Sequence, residues 1–328
     1  MISLGIESTA DNLGVGLVSE DGVVLANVVK VHVPPQGGIH PREAARHHSQ
    51  HLGSTIRSAL EEAGVTLGEV DLVAFSQGPG LGPCLRTGAT AARALSHYFH
   101  KPLVGVNHCV AHIEVGRMAT GAQDPITLYV SGGNTIVSGY ESGRYRIYGE
   151  TLDIAVGNCL DTFARAAGLE YPGGPAIERL AQKSAQLIPL PYVVKGMDLS
   201  FSGLLTHILQ KLEEGETPLE DLCFSLQETA FAMLGEVTER ALAHTGKGEL
   251  LLTGGVAANK RLRAMVEAIA REHGATSHIV PIPLATDNGA MIAWTGLLAY
   301  KAGVRTPLEA SHVNPSWRMD QVSIPWRE

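Results

Sequence analysis

Apolar residues alternate with small or polar ones over positions 2–7, give way to an Ala10-Asp11-Asn12 turn, resume over 13–19, and run again from 23 to 29 after Asp21-Gly22. That pattern predicts three strands joined by tight turns, the second turn being the Asp-Gly of a β-hairpin. It returns at position 126. An apolar run reaches Val130, a small polar turn follows at Ser131-Gly132-Gly133-Asn134, a second strand starts at Thr135, and a Ser142-Gly143 turn leads to a third strand over 144–148. One three-strand meander written twice, each copy with a small-residue turn after its first strand, predicts a duplicated α/β lobe.

The stretches between the meanders change period. A helix is predicted from His40-Pro41 through about residue 60, a strand over 70–75, a glycine-rich loop over 78–84, a helix over 85–98 and a strand over 103–106. Beyond the second meander come a helix over 158–167, a turn over 171–178 into another helix, and a strand or loop over 198–203. A long amphipathic helix over 222–244 is followed by a buried strand over 249–253, which ends at Gly254-Gly255 and opens a helix at Asn259. A strand over 277–280 and a small-residue, apolar helix over 290–300 complete the pattern. The expected division is a first lobe over 1–125, a second over 126–300, and a tail over 301–328 that returns to the first lobe.

Composition narrows the functional classes. With 328 residues, 45% of them hydrophobic, and 37 glycines, the chain suits a turn-rich α/β protein of two lobes. It has no apolar run long enough for a bilayer and no secretion signal, which points to a cytoplasmic protein without a membrane role. Its four cysteines are scattered without a CxxC pair, against a zinc finger and for buried, reduced thiols. A net charge of −8 argues against a broad nucleic-acid-binding surface, so any grip on RNA is local or comes from partner subunits.

Candidate chemistry centres on His108 and His112, four residues apart after a strand end. On a helix both imidazoles share one face and can close on one metal ion. Cys109 stands where a metalloprotease needs its glutamate, which counts against that class. The Glu7-Ser8-Thr9 and Ser131–Asn134 turns offer backbone N–H groups for phosphate, and the Gly254-Gly255 turn allows a flat ligand near the backbone. By spacing alone Asp287 reads as a helix N-cap and Tyr129 as a core strand residue. The 78–84 loop lacks a Gly-Lys-Ser/Thr ending and reads as structural.

Ten stretches taken together carry a resemblance: GIEST (5–9), GGIHPREAARHH (37–48), GPGLGPCLRTG (78–88), GVNHCVAHIEVGR (105–117), YVSGGNT (129–135), GNCLDTFAR (157–165), YPGGPAIE (171–178), SFSGLL (200–205), TGGVAANKRLR (253–263) and DNGAMIAW (287–294). Nearly end to end the chain resembles the catalytic subunit of the archaeal and eukaryotic KEOPS complex, in the tRNA threonylcarbamoyladenosine synthase family. The resemblance implies the fold of actin, Hsp70 and the sugar kinases (RNase H-like lobes), with two related lobes around a nucleotide cleft. It implies metal ligands at His108, His112, Tyr129 and Asp287, so that Asp287 and Tyr129 become more than cap and core. It also implies nucleotide or acyl-adenylate contacts at Tyr129, Val130, Ser131, Gly132, Gly133, Asp161, Gly174, Glu178 and Asn259.

The implied reaction moves a threonylcarbamoyl group from threonylcarbamoyl-AMP to the adenosine beside the anticodon, in tRNAs reading codons that begin with adenine. His108, His112 and Asp287 would carry catalysis through one metal ion per subunit. Iron is the first expectation because a phenolate suits ferric iron, with zinc or magnesium next, and an ATP- or AMP-type nucleotide occupies the cleft. The implied partners are tRNA, a small atypical protein kinase that is fused to the C-terminus in some relatives, a small dimerising subunit and an accessory subunit. The rival readings are an ATPase or small-molecule kinase on the same fold, a metallopeptidase and a scaffold.

Overall fold

The computed structural model describes residues 1–34 and 38–327. Gly37, which opens one of the matching stretches, and Glu328 lie outside the described residues. In chain order the elements are β1 (Ile2–Glu7), β2 (Asn12–Ser19), β3 (Val24–Val31), α1 (Pro41–Ala63), β4 (Leu72–Gly78), α2 (Gly82–Phe99), β5 (Leu103–Asn107) and α3 (His108–Thr120). Then follow β6 (Ile126–Val130), β7 (Thr135–Glu141), β8 (Arg144–Glu150), α4 (Val156–Ala166), α5 (Gly173–Ala181), β9 (Val194–Lys195), β10 (Asp198–Leu199), α6 (Ser202–Glu214) and α7 (Leu219–Thr245). The last are β11 (Glu249–Thr253), α8 (Lys260–Glu272), β12 (Thr276–Ile279), α9 (Ile282–Ala285) and α10 (Gly289–Lys301).

The two meanders build two sheets of one topology. The first runs β3-β2-β1-β4-β5 and the second, read in the matching direction, β8-β7-β6-β11-β12. In both, antiparallel hairpin strands flank a first strand whose other neighbour is parallel, as β1 pairs with β2 antiparallel and with β4 parallel, and β6 with β7 and β11. The duplication expected from the sequence is therefore present in the strand order.

Contacts gather the chain into two compact units at other boundaries than those the pattern suggested. One comprises Met1–Ala119, Glu141–Tyr145 and Asp287–Glu328; the other comprises Thr120–Tyr140 and Arg146–Thr286. The largest difference is α10. It follows the second sheet in sequence but packs on β1, β2 and β4. The alternation of β1 explains why. Leu4 and Ile6 enter the core with Leu13, Val15 and Phe75, while the small or polar positions Ser3, Gly5 and Glu7 are also buried. Their face is closed by helix backbone rather than by water. A Cβ at Gly5 would lie 2.2 Å from the Ala293 nitrogen, one at Gly16 2.3 Å from the Ala290 nitrogen, and one at Gly289 2.1 Å from the Gly16 nitrogen. The tail joins the same unit, with Thr306 N–H donating to Leu103 O and Asn314 N–H to Gln77 O.

In the second unit α7 supplies much of the core, with Leu226, Phe231, Leu234 and Val237 packed against Leu128, Val130 and Leu252 of the sheet. Gly254, at φ 96°, lets the chain leave β11 so close to β6 that a Cβ would fall 2.1 Å from the Val130 carbonyl oxygen. Helix α6 was not anticipated. Its first turn is capped from afar: Asp153 accepts from the N–H groups of Phe201 and Ser202 at 2.9 and 3.2 Å. Burial alone would raise that carboxyl, but the hydrogen bonds from Ser200, Phe201 and Ser202 outweigh it and hold the group well below the usual carboxylate range. All four cysteines are buried and none is in a disulfide. Among the described residues no helix is long and apolar enough to cross a membrane.

A fully buried histidine makes this fold acid-sensitive. His48 on α1 donates from Nε2 to the Ala10 carbonyl at 3.0 Å. Burial lowers its pKa to about 4, aided by His47 and His32 and opposed by the Ala10 hydrogen bond. An unfolded histidine binds a proton near pH 6.5, so the unfolded chain gains protons first as pH falls, and stability declines from about pH 6.5 towards 4. His48→Gln keeps a donor and removes the titration. It is expected to shrink the stability lost between pH 7 and 4.5 by about 2 kcal/mol, read from urea midpoints. Equal losses in both proteins would show that His48 is not the acid-sensitive group.

Candidate metal centre

The centre is built where β5 runs directly into α3. Asn107 makes that junction: its Oδ1 accepts from the N–H groups of Cys109 and Val110 at 3.0 and 3.2 Å, an N-cap that starts the helix at His108. Its Nδ2 donates to the Trp317 carbonyl at 3.0 Å, tying the cap to the tail. Helical spacing then brings the two imidazoles edge to face, with centroids 4.8 Å apart. Asp287 comes from the turn before α10. Its Oδ1 lies 3.0 Å from His112 Nε2 and 3.6 Å from His108 Nε2.

These three side chains offer ligand atoms within 4.8 Å of one another, the arrangement a single metal ion needs. His112 is fully buried, His108 nearly so, and Asp287 is 17% exposed, so the carboxylate is the more open member. The expectation from spacing that Asp287 caps its helix is corrected: Asn288 is the cap, its Oδ1 accepting from Met291 N–H at 3.0 Å. One residue of displacement leaves the Asp287 carboxylate to the histidines.

A further carboxylate completes the electrostatics. Glu7 Oε2 lies 3.1 Å from His108 Nδ1, and both groups are buried. Burial lowers the His108 pKa, but Glu7 and Asp287 overcome it and raise it to about 9. His112 is shifted down, chiefly by burial and further by His108. Burial works to raise Asp287, yet the two histidines bring it to about 2.

The Glu7–Thr9 turn does not hold out N–H groups to a phosphate. Ser8 N–H donates to Ser76 Oγ at 3.0 Å and Thr9 N–H to Glu7 Oε1 at 2.6 Å, both within buried surroundings. Sequence reasoning took Glu7 for part of that turn and missed its contact with His108; the available signal was a carboxylate ending an otherwise small and apolar strand. In the 78–84 loop Gly80 lies against the Thr9 backbone and Gly78 against the Asn314 carbonyl.

Tyr129 and the remaining candidates belong to the second unit. Tyr129 is almost fully buried on β6, and its hydroxyl accepts from Asn134 Nδ2 at 3.2 Å. In the turn that follows Val130, Ser131 Oγ accepts from Gly133 and Asn134 N–H, while Gly132 and Gly133 are exposed, and a Cβ added at either would meet nothing within 4 Å. The start of α4 touches this turn through Gly157 N–H on the Ser131 carbonyl at 3.2 Å. Asp161, one turn along α4, accepts from Gly173 N–H at 2.8 Å at the start of α5, and burial raises its pKa. Gly174 beside it has open space. Glu178 on α5 accepts from Lys260 N–H at 2.9 Å, and Asn259 caps α8 through Arg261 and Leu262 N–H while donating to Gln227 Oε1. Direct contacts thus tie the start of α4 to the turn after β6, the start of α5 to α4, and the start of α8 to α5.

Two five-stranded sheets of identical order, clothed by helices, define the class: the fold of actin, Hsp70 and the sugar kinases. The chain superposes on HypF from T. kodakarensis with a TM-score of 0.65 at 15% identity, covering 92% of this chain and 48% of that one. It matches the ROK hexokinase from Thermus thermophilus with a TM-score of 0.51 at 16% identity, over 92% and 99%. At such identities the likeness concerns the fold alone. Family-level similarity is far more specific. The family model described as tRNA N6-adenosine threonylcarbamoyltransferase (TsaD) matches residues 23–294. The protein of that name from Thermococcus kodakarensis is 57% identical over 99% of this chain and 100% of its own length. A "probable bifunctional tRNA threonylcarbamoyladenosine biosynthesis protein" from Methanothermobacter thermautotrophicus is 57% identical over 99% of this chain and 61% of its own length. The chain belongs to the tRNA N6-adenosine threonylcarbamoyltransferase family.

Proposed function

We propose that this chain is an acyltransferase that moves the threonylcarbamoyl group from threonylcarbamoyl-AMP to the N6 amine of the adenosine adjacent to the anticodon, in tRNAs that read codons beginning with adenine. The observation that carries this reading is the 57% identity, end to end, with an archaeal protein bearing the activity in its name. The donor is a mixed anhydride, and the acceptor is an aromatic amine, a poor nucleophile. Catalysis then depends on positioning both and on stabilising the departing phosphate.

The donor set fits a metal ion: two imidazole Nε2 atoms and a carboxylate oxygen converge, largely buried. His108, His112 and Asp287 would hold it, joined by Tyr129 as the family resemblance implies. When bound, a metal ion supplies Lewis acidity and an anchor for the acyl donor. Iron is our reading for its identity, with zinc or magnesium next. The exposed Gly132-Gly133 backbone allows a phosphate to approach without a side chain in the way, and the start of α4, which touches the turn through Gly157, favours negative charge. Asp161 and Glu178 are suited to accept hydrogen bonds from ribose hydroxyls, with Gly174 leaving room and Asn259 holding the start of α8 in place.

Two rivals lose support. A peptidase lacks its general base, since Cys109, buried, follows His108. A small-molecule kinase on this fold calls for no metal held by histidines, so the converging His108, His112 and Asp287 side chains count against it. We further propose that the chain acts in the cytoplasm with the kinase, dimerising and accessory subunits of a KEOPS assembly, which supply much of the tRNA contact. The bifunctional relatives, which join a second function to the same polypeptide, support a close partner.

The deciding assay supplies purified threonylcarbamoyl-adenylate labelled in threonine, cognate tRNA and the partner subunits. Label is expected in tRNA, with AMP released and no ATP needed for the transfer step itself. Phosphorylation of a small molecule at the expense of ATP, with no label in tRNA, would replace this reading by the kinase one.

A further inference from the structure

We propose that Glu7 is the positioning residue of the metal centre. Its carboxylate takes the Nδ1–H of His108 and so makes Nε2, on the opposite edge of the ring towards Asp287, the nitrogen that gives up its proton to a metal ion. This deepens the metal part of the function proposed above and rests on it, but it concerns the tautomer of one imidazole and can fail separately.

The argument starts from imidazole chemistry. A neutral ring carries one N–H, and a metal ion takes the nitrogen that lacks it. The partner of the other nitrogen therefore decides which edge is available. Glu7 Oε2 stands 3.1 Å from His108 Nδ1, while Nε2 faces Asp287 Oδ1 at 3.6 Å. Glu7 is on the wrong edge of the ring to share an ion with Nε2, so its place is behind the ligand. Thr9 Oγ1, at 3.4 Å from the same Nδ1, is a longer and weaker contact. Glu7 has no exposed surface and His108 almost none, which leaves the pairing to protein groups.

The second oxygen makes the requirement specific. Glu7 Oε1 accepts from Thr9 N–H at 2.6 Å. Each carboxylate oxygen thus faces an N–H donor, and a carboxylate satisfies both. A glutamine of the same shape cannot. If its oxygen stays on Thr9, its amide hydrogens point at His108 Nδ1 and favour the proton on Nε2, the edge needed for the metal. If it turns over, two N–H groups confront each other at Thr9. The support behind Glu7 is rigid. It ends β1 in register with Gly14 of β2, and the next residue is fixed by the bond from Ser8 N–H to Ser76 Oγ and by the close approach of Gly88 to Ser8.

The test uses the full chain, zinc as a diamagnetic probe, and two readouts that do not involve transfer activity. Glu7→Gln is expected to weaken zinc binding about 10–100-fold in competition with a chromophoric chelator. In zinc-loaded wild type, long-range 15N–1H spectra are expected to show His108 protonated on Nδ1 and metal-bound through Nε2. An affinity in Glu7→Gln within twofold of wild type, with the same His108 tautomer, would overturn the proposal. So would a wild-type spectrum with the proton on Nε2, which decides the matter even if the variant does not fold. Loss of zinc affinity without any effect on tRNA modification would instead leave Glu7 in its role and count against the proposed function.

Discussion

Asp287→Asn is expected to empty the centre of metal and to lower threonylcarbamoyl transfer by about 1000-fold, roughly 4 kcal/mol in the barrier. Asp287 is the one anionic member of the group of three, and its Oδ1 is the point at which both imidazoles converge. The amide keeps the shape and loses the charge. The fold should survive, because the cap of α10 is made by the neighbouring Asn288. Metal content by atomic emission and a single-turnover transfer assay check the two parts. Stoichiometric metal together with transfer within tenfold of wild type would remove Asp287 from the centre. In the metal-free state the same variant carries a pH signature. The Asp287 carboxyl, at about 2 in the folded chain, stabilises above pH 4 and stops doing so as pH falls through 2. The His108 contribution, with its pKa at about 9, is complete below pH 6.5 and fades as pH rises through 9. Wild type should therefore exceed Asp287→Asn in stability most clearly between about pH 4 and 6.5, and the gap should close on either side.

Gly289→Ala is expected to destabilise the protein by about 3 kcal/mol or more and to disturb metal binding with it. The added carbon would stand 2.1 Å from the Gly16 nitrogen and 2.3 Å from the Val15 carbonyl carbon, backbone atoms that cannot swing aside. Helix α10 would have to lift from β1 and β2, and Asp287 lies two residues before it. Gly53→Ala on α1 is the control. That glycine is exposed with nothing within 4 Å of the new carbon, and alanine is the better helix former, so stability should hold or rise by about 0.5–1 kcal/mol. Urea midpoints and zinc titrations of the two variants separate the outcomes. Equal effects at both positions would mean that the close helix–sheet contact is not what holds Asp287 in place.

The two sheets were legible because their period-2 patterns and turn residues are local properties of the chain, repeated at 2–29 and 126–148. The His108/His112 pair was legible for a similar reason: a spacing of four on a helix is a statement about one face. Helix α6 was not, since its cap, Asp153, sits some fifty residues upstream. Asp287 could be taken beyond a cap only through family resemblance, because an Asp-Asn pair before a helix leaves open which of the two caps it. Glu7 was missed because its partner is about a hundred residues away.

Taken by itself, then, the chain determined the doubled meander, the helices with clear amphipathic period, and a pair of imidazoles on one helical face. All of these follow from backbone geometry acting over a few residues. The tertiary structure alone decided that α10 returns to the first sheet, that Asn288 rather than Asp287 caps it, and that Glu7 lies against His108. The return of α10 depends on close approach between distant segments, where missing Cβ atoms at Gly5, Gly16 and Gly289 let backbones touch, and the Glu7–His108 contact spans about a hundred residues. A sequence records which atoms are missing, but only the packed chain shows what moves into the space.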